Sequence, residues 1–183
     1  DNYHRVVEII RSGAIGKIHT VRLWKDGFSR EFENIKPQTP PANLNWDMWL
    51  GPAPYADYAP EKCHHTFRYF IDYSGGVFAD FWCHIADVVW WSIQPSGLKS
   101  IEARGEKTSG GVPKWLDADF EFQNLKLYWT TKPPEVPGAA TRNIGAWFEG
   151  DKGTLICDYG TRSITINGET VQDLDSVAKS IER

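Results

Sequence analysis

Three side chains in one short stretch could carry out proton chemistry: Asp80, His84 and Asp87, within "GGVFADFWCHIADVVWW" at residues 75–91. On a helix of about 3.6 residues per turn, positions i, i+4 and i+7 fall on nearly one meridian, with neighbouring Cβ atoms about 5–6 Å apart. A carboxylate one turn before an imidazole can accept a hydrogen bond from one ring nitrogen. That fixes the tautomer and strengthens the other nitrogen as a base. Such a pair serves acid–base catalysis on a substrate hydroxyl, given an electron acceptor. Asp80 follows Gly75-Gly76 closely, which predicts a place in the first turn, where the helix dipole favours a carboxylate. The competing reading is that these polar groups tie a buried helix to neighbouring backbone, as polar groups in an aromatic core must find partners. Spacing alone leaves both open.

The helix that must position them reads as strongly apolar. Phe81, Ile85, Val88 and Val89 form a second stripe roughly 100° from the polar row, the pattern of a core-facing surface. With Trp82, Trp90 and Trp91 added, the helix is expected to be buried on most sides, its polar row facing a cavity or another domain. A second cluster, Cys63-His64-His65, invites a metal reading, and with His84 or Asp80 it could make a three-ligand zinc site. On an extended segment, however, adjacent side chains point to opposite sides, so no metal site is expected.

Composition excludes several classes. A formal charge of −4, with Lys and Arg scattered, argues against nucleic acid as a partner. No apolar run approaches the roughly 20 residues of a membrane span, and no signal-peptide pattern is visible. Three distant cysteines outside any CxxC arrangement make a disulfide framework improbable and suit a reducing compartment, so a cytoplasmic location is expected. Nine tryptophans predict a ring-packed core, with one or two rings left to stack on sugar faces. No GxGxxG follows a strand and no GxSxG is present. "GAIGK" lacks phosphate-loop spacing and has Ile18 after Lys17.

Along the chain, Tyr3–Ser12 reads as a helix closed by Gly13, and Ile18–Trp24 as a strand. Residues 25–44 read as loop, the stretch from Asn45 or Trp46 to Leu50 as one helical turn stopped by Gly51-Pro52, and the stretch up to Gly76 as a further loop. The second half reads as strands at 98–106, 115–123, 125–131, 144–150, 154–160 and 163–168 with a stub at 170–172, turning at Asn124, Gly150–Gly153 and Asn167-Gly168. This predicts an antiparallel meander with one buried and one free face, and a helix beginning at Asp173. Without repeats or a visible boundary, residues 1–183 are expected to form a single domain.

These segments resemble a known family. "GGVFADFWCHIADVVWW" is similar to the GG-x3-D-x3-H-x2-D signature in the second domain of the glucose–fructose oxidoreductase and inositol dehydrogenase (Gfo/Idh/MocA) family. "IIRSGAIGKIHTVRL", "LNWDMWLGPAP", "CHHTFRYFIDYSGG" and "FEGDKGTLI" resemble further segments of that domain, in order, over nearly the whole chain. The resemblance implies an α+β fold: an open, predominantly antiparallel sheet with helices on one face. It implies that Asp80 supports His84, which moves a substrate hydroxyl proton while hydride passes to or from a nicotinamide. Asp87, Arg68 and Trp46 then fall among substrate-binding residues, with Asp87 alternatively holding the helix. It implies NAD or NADP in the full-length enzyme and none bound by this chain alone, since the Rossmann domain lies outside it. A sugar, polyol or derivative is the expected substrate, and sheet-to-sheet pairing into a homodimer or homotetramer the expected assembly. The alternatives are a non-catalytic carbohydrate-binding or oligomerisation module, and a metal-dependent hydrolase or lyase using His64, His65 and His84.

Overall fold

The computed structural model describes residues 2–179. Helix α1 (Asn2–Arg11) buries Val6, Val7, Ile9 and Ile10 along one side. It ends where Gly13 takes a φ of 76°, a left-handed conformation that costs other residues more than glycine. Strand β1 (Ile18–Lys25) follows. Helix α2 (Trp46–Leu50) is a single turn whose first free amides are met by the Asn45 side chain, which accepts from the Met48 N–H at 3.1 Å. Helix α3 spans Gly76–Ser92.

The remaining strands are β2 (Leu98–Lys107), β3 (Pro113–Phe122), β4 (Lys126–Thr130), β5 (Ile144–Gly150), β6 (Gly153–Cys157), β7 (Arg162–Ile166) and β8 (Glu169–Thr170). They form one eight-stranded sheet in the order β2-β3-β4-β1-β5-β6-β7-β8. The fold is α+β, with a mostly antiparallel sheet. The expected meander is interrupted, because β1 lies between β4 and β5, parallel to β4 and antiparallel to β5. Alternation marks a strand and its faces but carries no label for the partner, so this insertion is invisible in the local pattern.

The chain forms two compact units. The first contains the residues up to Gly27, Phe81–Arg104 and the residues from Leu116 onward, and it holds most of the sheet. Register places Val21, Leu127, Phe120, Phe148, Leu155 and Ile164 in one row across it. Trp82 of α3 packs on this face, its ring 5.0 Å from Phe120 and 5.9 Å from Trp129. Of the predicted stripe, Ile85, Val88 and Val89 are fully buried and Phe81 is half-buried. The opposite face is more polar than expected from alternation: Thr20, Arg22, Lys126, Tyr128, Asp119 and Glu121 share it. Its apolar part, Trp24, Trp147 and Ile156, is covered by Ala139 and Val136 from the β4–β5 connection.

The second unit consists of Phe28–Asp80 and Gly105–Trp115. Trp46, Leu50 and Cys63 are its buried centre, surrounded by Leu44, Trp49, Tyr58 and Tyr73. The loop expected between Tyr55 and Gly76 contains 3-10 turns at Pro60–Lys62 and His64–Tyr69. At its end Gly76 starts α3 with a φ of 73°, where a Cβ would stand 3.0 Å from Val112 Cβ and 3.1 Å from Ser29 Oγ. The helix expected from Asp173 is a 3-10 turn at Leu174–Ser176, capped by the Asp173 side chain, and its continuation past residue 179 lies outside the described residues.

Candidate active site

Helix α3 brings Asp80 and His84 onto consecutive turns, with Asp87 a further turn along. The row is open rather than buried: His84 and Asp87 are exposed and Asp80 is half-buried. The helix as a whole is also less enclosed than its composition suggested, since Trp90 and Trp91 remain 40% and 38% exposed. Because α3 begins at Gly76, Asp80 lies beyond the first turn. Dipole stabilisation fades within that turn, so it contributes little to this carboxylate.

Within its own unit Asp80 lies against Arg68, from the 3-10 turn His64–Tyr69. Arg68 Nε lies 3.2 Å from Asp80 Oδ2. This is an ion-pair distance, but the N–H is not aimed well enough to count as a hydrogen bond. The other arm of the guanidinium lies 3.2 Å from the His65 ring nitrogens. Arg68 therefore sits against the row's first carboxylate. Trp46 is 8% exposed, its ring stacked on Trp49 at 4.7 Å and its indole N–H donated to the Ala56 carbonyl at 2.7 Å. In this geometry its ring packs inside the second unit, with Tyr58 set edge-on to it at 5.2 Å. Beside it, a cavity of about 610 Å³ is lined by Trp49, Pro52, His64, Phe67, Asp72 and Tyr73.

His84 has aromatic company within the first unit. Its ring centroid is 5.9 Å from Phe81 and 6.4 Å from Tyr159, the latter nearly perpendicular at 87°. Tyr159 was not singled out in the sequence, where residues 154–160 read as one continuous strand. The strand in fact stops at Cys157, and Asp158–Thr161 forms a tight turn. The signal was present: Asp followed two residues later by Gly marks an Asx-type turn. Asp158 Oδ1 accepts from the Gly160 and Thr161 amides at 2.8 and 2.7 Å, and Oδ2 from Thr161 Oγ1 at 2.7 Å and Arg142 Nε at 3.1 Å. Burial alone would raise this carboxyl, but those hydrogen bonds and the Arg142 charge outweigh it and hold it below the usual carboxylate range.

Cys63, His64 and His65 lie at and within a 3-10 turn rather than on an extended segment. Among the described residues no three or more His, Cys, Asp or Glu side chains gather to hold a metal ion. The turn at Gly13–Lys17 does not fit a dinucleotide phosphate. The Gly13 and Gly16 amides are already donated to Ile10 and Gly13, and a Cβ on Gly16 would stand 3.0 Å from the Lys152 amide nitrogen. A phosphate cradle needs free, converging N–H groups. Among the described residues no helix is long and apolar enough to cross a membrane.

Residues 4–123 match the family described as the oxidoreductase family, C-terminal alpha/beta domain. The chain belongs to this family, the Gfo/Idh/MocA oxidoreductases. No curated protein sequence matches it. Similar solved structures include an oxidoreductase from Thermotoga maritima, at 17% identity and a TM-score of 0.51 over 96% of this chain and 45% of that one. An aldose-aldose oxidoreductase from Caulobacter crescentus, complexed with glycerol, is similar at 13% identity and a TM-score of 0.55, over 93% and 43%. An inositol dehydrogenase homolog from Azotobacter vinelandii, complexed with NADH and myo-inositol, is similar at 14% identity and a TM-score of 0.52, over 93% and 39%. The chain thus spans less than half the length of these structures, and the likeness carries the fold.

Proposed function

We propose that this chain is the substrate-binding domain of an NAD(P)-dependent oxidoreductase acting on a sugar, polyol or derivative, with His84 as its proton-transferring group. The observation that carries the reading is an imidazole left exposed in mid-helix, one turn after a carboxylate, in a domain of an oxidoreductase family. Two of the similar structures hold polyhydroxylated molecules, glycerol and myo-inositol, which favours a substrate of that kind. A nicotinamide, held outside this chain, would supply the electron acceptor or donor.

The chain's own residues then have distinct tasks. The exposed imidazole of His84 takes the hydroxyl proton of an alcohol, or returns it to the oxygen of a carbonyl. Asp80, one turn earlier, sets the charge and orientation around that ring. Arg68 stands at ion-pair distance from Asp80, which supports a positioning role beside the substrate-binding role implied by resemblance. Asp87 is exposed one turn beyond and is free of packing duties that would keep it from a substrate hydroxyl.

The decisive test is to express the reading frame that encodes this chain together with its upstream sequence. A strand followed by GxGxxG and NAD(P)-dependent turnover of a polyol is expected. An upstream region with no dinucleotide fingerprint would favour the binding-module reading instead. We further propose that the polar sheet face around Arg22 and Tyr128, which stack at 4.6 Å, pairs two copies about a two-fold axis. Light scattering at tens of micromolar should show a dimer, near where a weak standard-sized interface closes; a monomer there defeats this assembly.

A further inference from the structure

We propose that Tyr159 is a substrate-contacting residue of the His84 site, its ring forming the apolar wall on which a cyclic polyol or pyranose lies. The inference rests on the reading of His84 given above, and it goes beyond the family signature, which ends on α3.

The argument starts from a mismatch between exposure and order. Tyr159 is 50% exposed. A ring that accessible gains little stability from being fixed, and surface turns are ordinarily free to move. Yet the turn that carries it is held by contacts from Arg142, Thr161 and α1. Asp158 receives the four hydrogen bonds described above. Arg142 also donates to Thr161 Oγ1 at 3.2 Å. From α1, Asn2 donates its side-chain amide to the Asp158 and Thr161 carbonyls at 2.7 and 2.9 Å. The Tyr3 ring stands 5.9 Å from Tyr159 and limits its swing. Rigid support of an exposed group is what a binding site requires, because the geometry must exist before the ligand arrives.

The orientation indicates what binds. The imidazole and phenol planes meet at 87° with centroids 6.4 Å apart, forming a corner with one ionisable wall and one aromatic wall. A hydroxylated six-membered ring has both complements: a flat C–H face for the phenol and equatorial hydroxyls at its edge for the imidazole. An open-chain polyol has the hydroxyls without the flat face. The corner therefore favours cyclic over linear substrates.

The test follows the His84 and Tyr159 ring signals by NMR while the chain is titrated with myo-inositol or sorbitol. In the unaltered chain myo-inositol should move both sets of signals, at lower concentration than sorbitol. Tyr159→Ala should weaken the myo-inositol response roughly tenfold, the size of one lost stacking contact, and leave sorbitol unchanged. Tyr159→Phe should preserve the preference. If Tyr159→Ala fails to fold, Tyr159→Leu takes its place, since it keeps bulk without the aromatic face. Signals that do not respond to either probe, or a preference for myo-inositol that survives loss of the ring, would overturn the proposal. Should the preference hold while His84→Asn leaves turnover of the full-length enzyme intact, the Tyr159 contact stands and the proton-transfer role of His84 falls.

Discussion

Two carboxylates in this molecule are treated very differently. Asp158 is saturated with donors: two backbone amides, one hydroxyl and one guanidinium converge on its two oxygens. Asp80 lies at ion-pair distance from Arg68, on a helix turn whose side-chain row is open. The first arrangement fixes backbone; the second places a charge next to a side chain of opposite sign. The same division separates the aromatic groups. Trp46 is locked face to face on Trp49 with its N–H spent, whereas Tyr159 and His84 meet at an open corner. Saturated groups build the scaffold, and the groups that could do chemistry are held in place with their working faces open.

The sharpest way to break this contrast is His84→Asn in the full-length enzyme, which keeps approximate shape and removes the base. Turnover should fall by about 10²–10⁴-fold with an unchanged melting temperature. Asp80→Asn should cost less, since the imidazole remains, and Asp87→Asn should act mainly on KM if the side chain meets substrate. A folded His84→Asn enzyme at full activity would reduce the whole row to helix anchoring.

Asp158→Ala should show the opposite signature: a stability loss of about 1–3 kcal/mol from unpaired donors, read by denaturant titration. The pH dependence has a definite sign. Asp158 is held below its ordinary range in the folded protein, so its contribution is fully present above the unfolded carboxyl value of roughly 3.9 and is lost as pH falls through the lower folded value. Asp158→Ala should therefore flatten the acid limb of the stability profile. An unaltered limb would show that the turn is held by other groups.

The smallest effect is expected at Arg68. Its pair with Asp80 is partly exposed on both sides, so Arg68→Met should change stability by about 0–1 kcal/mol. The informative readout is the pH profile of kcat, which should move when the arginine charge beside Asp80 is removed and recover with Arg68→Lys. A large KM increase with an unmoved profile would return Arg68 to direct substrate binding.

Much of this was legible in the residues, for local reasons. The boundaries of α1, β1, α2 and α3 follow from periodicity and from the stops at Gly13 and Gly51-Pro52. The two-residue connection at Asp151-Lys152 and the Asn167-Gly168 turn, both residues at positive φ, follow from turn chemistry. What stayed hidden is non-local or conformational. Nothing in "KIHTVRLW" announces that it will lie against a strand from the far side of the sequence. The 3-10 turn at His64–Tyr69 depends on His64 adopting a φ of 49°, which no periodicity encodes. The Asp80–His84 spacing was readable; Arg68 beside Asp80 in one unit and Tyr159 beside His84 in the other required the fold.

The placement of β1 has a consequence for how the molecule assembles. Thr20 lies against Lys126, so the centre of the sheet joins segments separated by roughly a hundred residues of chain, and closing so long a loop comes before most of its compensating contacts. Hairpins β5–β6 and β6–β7 can form early from neighbouring sequence, but they gain a central partner only when the opening strand docks. Refolding should therefore be slow and set by β1: weakening a hairpin turn that forms before this step, like substitutions at Val21 or Leu23 in the docking strand, would retard the approach to the native state more than it speeds unfolding.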